Sequence, residues 1–543
     1  MTTQIIDFSE IDLTGGLRFN GEAIGAAHYN GERLWPFGVD LLYTGGIGGA
    51  SYLPDTGAVF ADTAAATPAT FGGSIARTNP AGGAGNALQA SASLRPLLGR
   101  APKAGRRNQL TWTEELDNPA WVKSAATVVP NAAIAPNGEL TADALIPDTS
   151  NAVHRAAISF PYVATTGVGS LYVKSAGARY FGIGTVSTSP ERYAFFDFEN
   201  INVFTLASNS ITEFPSVTVS DEGNGWYKIT FAGPYLGGAS TNALRLYVLG
   251  SMPVSVGGFP EASLAFVGDG VSGVYFWGHQ IDTDTITPYQ RIGAATDITE
   301  EGVPSYPFVR FDLSDDRLDT VLPQAVTGDV VIAGRNGAVI APHSYAANST
   351  FQLGPTSYTG GTPGILRAIG DVVGWSILNK TLTAAERERL MRFYKRRGAK
   401  GLLVPGPELV TNGTFDTGIA PWFLVGSGAV AWNPAGTMQI SDVGGNDGRA
   451  RLHVDVTPGA PYLVAYDVRT TQQFLLEWGD RGSGSNNGQV TDTFSTGGVF
   501  QRFSRVVLFT AAASSITLVQ AGTDVTGEVD NVSIRELRPE EDW

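Results

Sequence analysis

An all-β chain of several antiparallel jelly-roll sandwiches is what this sequence predicts, and three observations predict it. Short runs that alternate apolar and polar residues recur between turn signals along most of its 543 residues. Turn formers are abundant, with 67 Gly and 30 Pro, while only 16% of residues are charged, which describes a folded, turn-rich chain and excludes disorder. There is no Cys, so neither disulfides nor thiolate metal sites hold the fold, and burial with backbone pairing must do so.

The first element is a pair of near-copies, Phe19-Asn20-Gly21-Glu22-Ala23-Ile24 and Tyr29-Asn30-Gly31-Glu32-Arg33-Leu34-Trp35. Asn-Gly supplies the two positive φ angles of a type I′ turn, so each copy reads as a β-hairpin. Hairpins this short bury no core of their own, and Phe19, Ile24, Tyr29, Leu34 and Trp35 are expected to pack on another chain.

A Gly/Ala/Thr/Pro-rich region follows to about Leu98, then the basic connector Gly99 to Arg107. Beyond it lie Gly169 to Lys174, Tyr193 to Phe198, Gly225 to Phe231 and Ala243 to Leu249, each alternating at period two. Residues 107–292 read as one sandwich in which Trp121, Trp226 and Trp277 pack in the core. Further strands fall at Val309 to Leu318, Gly328 to Ala333 and Val372 to Leu378. Thr383 and Glu386 then form a capping box that opens the one confident helix, with Leu390, Phe393 and Tyr394 on one face, Lys395 to Arg397 in the last turn and Gly398 as the stop. Residues 405–543 form a second sandwich.

The motifs carry resemblances. The paired Asn-Gly hairpins ending in Leu34-Trp35-Pro36 resemble the amino-terminal docking segments of bacteriophage virion proteins. Asn108 to Trp121, Gly223 to Lys228 and Val274 to Ile281 resemble, in order, the carbohydrate-binding-module-like sandwich of phage tail and head-fibre proteins. Residues 37–106 with 293–404 resemble a laminin-G or concanavalin-like lectin domain, which implies a discontinuous sandwich with 107–292 inserted; four sequential units are the alternative. Glu408 to Asp416, Trp422 and Gly527 to Ile534 resemble the opening and closing strands of family 4/9-type carbohydrate-binding modules. That family implies a structural calcium, for which Asn412, Asp416 and Asp530 are the matching oxygen ligands, although Asp416 replaces a usual Glu; plain turn hydrogen bonding is the other reading.

Catalysis finds little support. The five histidines are scattered without a metal-binding spacing, and no nucleophile elbow, Walker loop or dinucleotide fingerprint is present. Asp197 with Glu199, and Glu477 with Asp480, are acid pairs of a kind that arises by chance among 51 acids. Binding fares better: Trp432, Tyr462, Trp478, Asp480, Arg481, Asn486 and Asn487 combine stacking rings with hydroxyl-bonding groups, with Trp478 as the expected platform beside a loop at 479–488; burial of the Trp in the core, its commoner fate, is the other reading.

A formal net charge of −15 disfavours nucleic acid and anionic membranes, and no apolar run of about 18 residues suggests membrane insertion. The start has neither a basic nor an apolar signal region, so synthesis in the bacterial host cytoplasm without a signal peptide is expected, with the virion surface as destination. Together these readings imply a tail- or head-fibre protein, not an enzyme, that docks on other virion proteins through its N-terminus and binds host-surface polysaccharide, as a homotrimer. A polysaccharide depolymerase and a purely architectural decoration protein are the alternatives.

Overall fold

A computed structural model describes residues 18–19, 22–23, 27–29, 32–35, 42, 48–55, 57–161, 167–186, 192–207, 214, 216–233, 241–253, 261–283, 285–354, 366, 369–472, 474–480, 486–492, 500–509, 513–521 and 524–539. Antiparallel strands dominate, and Ala384–Arg396 is the one long helix among the described residues. That helix is too short to cross a membrane. Near the N-terminus, Arg18–Phe19 pairs with Glu22–Ala23 and Ala27–Tyr29 with Glu32–Trp35. Ile24 and the side chains of Phe19, Tyr29, Leu34 and Trp35 lie outside the described residues.

The chain divides into two compact units, one of them made by Thr70–Gly73 and Leu97–Pro307. Its two six-stranded sheets are antiparallel throughout. One runs Val122–Ser124, His154–Pro161, Thr241–Leu249, Tyr180–Val186, Arg192–Asp197, Asn202–Ala207. The other runs Ala126–Ile134, Leu140–Pro147, Gly273–Asp282, Gly167–Ala176, Trp226–Gly233, Ser216–Gly223. Period two decides what each strand buries. Leu171, Val173, Val274 and Phe276 point into the core between the sheets. Their neighbours Tyr172, Tyr275 and Trp277 turn to the outer face of the second sheet, where Trp226 joins them. Trp121, Trp226 and Trp277 are all buried.

Leu97–Pro102 and the hairpin of Gln290–Ile292 with Ile298–Glu300 fall within this unit. The Arg100 N–H donates to the Thr296 carbonyl at 2.8 Å, and the Arg100 guanidinium pairs with Asp297, which ties the first strand to the hairpin.

In the other unit, segments far apart in sequence share sheets. Gly49–Tyr52 pairs with Val372–Leu378, placing Tyr52 opposite Trp375 with their rings stacked at 4.8 Å. Leu318–Val321 likewise pairs with Ala87–Leu88. The helix packs on Val372–Leu378: Tyr394 is fully buried and its hydroxyl meets that of Ser376 at 3.1 Å. Gly374 is required there, because a Cβ would stand 2.5 Å from the Tyr394 ring. Thr383 and Glu386 cap the helix reciprocally, and Gly398, at φ +91°, ends it. Leu390, Met391 and Tyr394 form the buried face, whereas Phe393, expected there, is half-buried beneath Arg397. Thr383→Ala removes the acceptor for the Glu386 N–H, so a loss of about 1 kcal/mol in thermal unfolding is expected.

The C-terminal strands of this unit make two further sheets that face each other. One contains Ala429–Asn433, Thr437–Ser441, Thr526–Pro539, Pro461–Arg469 and Gln501–Leu508, with Leu403–Glu408 on the flank of Thr526–Pro539. The other contains Phe423–Leu424, Gly448–Asp455, Ala513–Gln520, Phe474–Asp480 and Asn486–Asp492. Phe415, Trp422, Tyr466, Phe474, Leu476 and Ile534 are among the residues filling the space between them.

Candidate functional site

Two of the three described rings of the glycan patch expected in the C-terminal sandwich are buried. Tyr462 is 1% exposed and Trp478 8% exposed, both within the core between the sheets. Period two explains it: Phe474, Leu476 and Trp478 share one face of their strand, and that face is the buried one. The Tyr462 hydroxyl accepts the Thr457 N–H at 2.8 Å, a bond internal to the sandwich. A ring without an open face cannot stack on a sugar, so neither residue is a platform. Part of the expected 479–488 loop is strand, with Trp478 opposite Gly488 and Gly479 opposite Asn486. Arg481 lies outside the described residues, as do the side chains of Asp480, Asn486 and Asn487. Trp432 alone among the described rings of that set is open, 40% exposed, with its indole N–H on the Phe415 carbonyl at 2.7 Å. Of the two acid pairs, Glu477 is buried and holds Arg449 at 2.8 Å, and in the other unit Asp197 is buried against Arg179 at 2.8 Å.

Asn412, Asp416 and Asp530 sit on segments that run side by side, since the Val532 N–H donates to the Gly413 carbonyl at 2.9 Å. Their described bonds are local. Asn412 donates to the carbonyls of Gly418 and Ala420, Asp416 accepts from the Thr414 hydroxyl, and Asp530 accepts from the Asn531 N–H.

Among the described residues, a recess lies in the Leu97–Pro307 unit, on the outer face of its second sheet. It is a cleft of about 660 Å³. Trp277 forms its floor, 5% exposed, held by Tyr172 at 5.2 Å, by Tyr289 at 4.8 Å and by an indole N–H bond to the Thr141 hydroxyl at 3.0 Å. One wall is a β-bulge: the register of Ala126–Ile134 against Leu140–Pro147 breaks between Val129 and Ala133, and Asn131 adopts φ +50°. Asp143 fixes that bulge. Its carboxylate accepts the Asn131 N–H at 2.8 Å and the Leu116 N–H at 2.6 Å, joining the bulge to the segment that carries Glu114 and Glu115. Burial raises the Asp143 carboxyl to about 6, against the lowering effect of those two bonds.

The opposite wall is the hairpin bearing Arg291 and Glu300. Arg291 is shared among Asp297 at 3.0 Å, Glu115 at 3.3 Å and Glu114 at 3.6 Å. The Tyr289 hydroxyl donates to Glu114 at 3.0 Å and meets the Thr113 hydroxyl at 2.8 Å. Burial pushes the carboxyls of Glu114 and Glu115 up from the usual 4.5, opposed by Arg291. Burial also raises the Tyr289 hydroxyl well above 10, so it stays protonated as a donor. The rim adds Asn137, Glu139, Thr299 and Glu301. Trp277 is too buried to stack on a ligand and serves only to close the base; the fixed donors and acceptors around it give the composition of a pocket for a polar, hydroxyl-rich molecule.

The sequence reading placed Trp277 correctly as a packed residue but passed over Glu114, Glu115, Asn131 and Arg291. The adjacent acids Glu114-Glu115 in a turn and the Asn137-Gly138 turn were the available signals; the bulge and the Asp143 tie depend on pairings that no local pattern announces.

No protein-family model matches the chain, and no curated protein does. Among solved structures, it is similar to a CBM4 carbohydrate-binding module at 14% identity, TM-score 0.21, over 23% of this chain and 99% of the other. It is similar to the enzymatically active domain of bacteriophage CBA120 tailspike protein 4 at 17% identity, TM-score 0.21, over 24% of this chain and 21% of that one. A tandem CBM22 pair from Paenibacillus barcinonensis Xyn10C aligns at 11% identity, TM-score 0.20, over 82% of this chain and 100% of the other. At these scores the likenesses add nothing to the all-β sandwich architecture, which rests on the strand pairing itself.

Proposed function

We propose that this chain is a glycan-binding structural protein of a bacteriophage virion, with the cleft of the Leu97–Pro307 unit as its sugar site. The observation that supports it is the cleft: a preformed recess in which Trp277 is locked as floor, Asp143 sets one wall and Arg291 braces the other. Such preorganisation lowers the cost of ordering the site when a flexible sugar binds. Affinity per copy is weak, and several copies on one particle supply avidity.

Glycan-array binding of the intact chain tests this reading against an Asn131→Gly/Thr299→Ala variant. Glycine tolerates the positive φ at position 131, so the bulge survives while two polar groups leave the cleft. At about 1 kcal/mol per hydrogen bond, a loss of tenfold or more is expected. Undiminished binding would move the site elsewhere, with the open Trp432 face as the next candidate.

The virion half of the proposal rests on the two N-terminal hairpins, whose few residues bury no core by themselves. Deleting residues 1–36 is expected to leave a folded protein that no longer enters particles; normal incorporation of the shortened chain contradicts that role.

Calcium on Asn412, Asp416 and Asp530 is a separate part of the proposal. Two carboxylates and an amide oxygen on adjacent segments suit the ion, and backbone carbonyls and water would complete the six to eight oxygens it takes. EDTA is then expected to lower the melting temperature, by the equivalent of about 2.7 kcal/mol when calcium stood at a hundredfold excess over its Kd. An unchanged melting curve makes the three residues turn formers only.

A further inference from the structure

Charge distinguishes among sugars, and in this cleft the charge is one-sided. Both guanidiniums lining the cleft are already engaged, Arg291 by Glu114, Glu115 and Asp297 and Arg100 by Asp297, and the lining Glu300 is held from outside by Arg107 at 2.8 Å. Glu139 and Glu301 line the same cleft, are exposed, and take part in no ion pair among the described residues. Five carboxylates, Glu114, Glu115, Glu139, Glu300 and Glu301, therefore line the cleft against two guanidiniums, Arg100 and Arg291, and Glu139 and Glu301 are the exposed ones without a cation.

We infer that the cleft takes a polysaccharide carrying free, protonated amino groups, that is, a partly de-N-acetylated hexosamine polymer, with Glu139 and Glu301 receiving the ammonium groups. This rests on the glycan-binding reading above and names its ligand class. A uronic acid polymer would bring its carboxylates against the same excess negative charge with no uncommitted cation to receive them. A neutral sugar gains the hydroxyl contacts alone. An amino sugar gains those and charge-assisted contacts from its ammonium groups to Glu139 and Glu301, which are strongest at low salt.

Binding of three probes to the intact chain tests the inference: a glucosamine oligomer with free amines, its fully N-acetylated counterpart, and a galacturonic acid oligomer, at about pH 6, where a sugar amine is charged, and at low salt. The free-amine oligomer is expected to bind at least tenfold more tightly than the acetylated one, and the uronate not measurably. In a Glu139→Gln/Glu301→Gln variant that preference disappears, the free-amine oligomer binding no more tightly than the acetylated one. Because both residues are exposed, the variant keeps its fold. Equal or tighter binding of the acetylated or uronate oligomer overturns the inference and leaves the glycan reading standing. So does a preference that survives in the variant, which would trace it to the overall acidity of the chain. If polylysine binds in a Glu139- and Glu301-dependent way and the amino sugar does not, a basic polypeptide is the ligand and the inference fails. If no oligosaccharide binds at all, the glycan reading itself fails.

Discussion

Trp478→Ala is expected to destabilise the C-terminal sandwich by about 3–5 kcal/mol, the cost of emptying a large aromatic from a packed core. The side chain is 8% exposed, faces the same interior as Phe474 and Leu476, and stands opposite Ile516 on the neighbouring strand. Cavity and lost transfer energy act together here, since the flanking strands pair on both sides and cannot collapse into the gap. Urea unfolding of the full chain, followed by tryptophan fluorescence and circular dichroism, measures it. A fully stable variant that loses sugar binding would restore Trp478 as a contact residue.

The second large effect concerns acid. His279 is buried in the Leu97–Pro307 unit, its ring 4.9 Å from that of Trp121, with Nδ1 donating to the Thr113 carbonyl at 3.0 Å and Nε2 without a hydrogen-bond partner. Burial pulls its pKa down from 6.5 to about 4. A depressed histidine favours the folded state while neutral, so its contribution is complete above about 6.5 and drains away as pH falls toward about 4. At 1.36 kcal/mol per pKa unit the whole contribution is about 3 kcal/mol. Asp143 works in the opposite sense: its raised carboxyl stabilises the fold below the ordinary aspartate pKa and loses that effect as pH rises through about 6. The wild-type profile is therefore flattened, and the histidine must be isolated by difference. Wild type and His279→Gln, unfolded in urea at about pH 7 and about pH 4, should differ by up to about 3 kcal/mol more in favour of the variant at the lower pH, where the wild type alone must protonate a buried ring. A pH-independent difference would mean that the ring is hydrated and titrates normally.

How far the sequence carried depended on the range over which each feature is encoded. Strands are local, and the run around Trp226 to Phe231 announces itself through alternation and the Asn224-Gly225 turn. The helix is equally local, its start written in Thr383 and Glu386 and its end in Gly398. The same alternation, applied strictly, places Trp478 with Phe474 and Leu476; its closeness to a Gly-rich loop suggested exposure, and the periodicity overrode it. Of the cleft, only the adjacent acids Glu114-Glu115 and the Asn137-Gly138 turn show in the sequence. Asp143 reaches Leu116, 27 residues away, and Tyr289 reaches Glu114, 175 residues away, so its walls exist only after the sheet has closed.

The most direct measurement of the central claim is a crystal structure of the intact chain with the oligosaccharide that binds best on the array. Sugar is expected in the cleft, bonded between the Asn131 bulge and the Arg291 hairpin, with Glu139 and Glu301 at its rim. Sugar bound instead against Trp432, with the cleft free of it, would contradict the account.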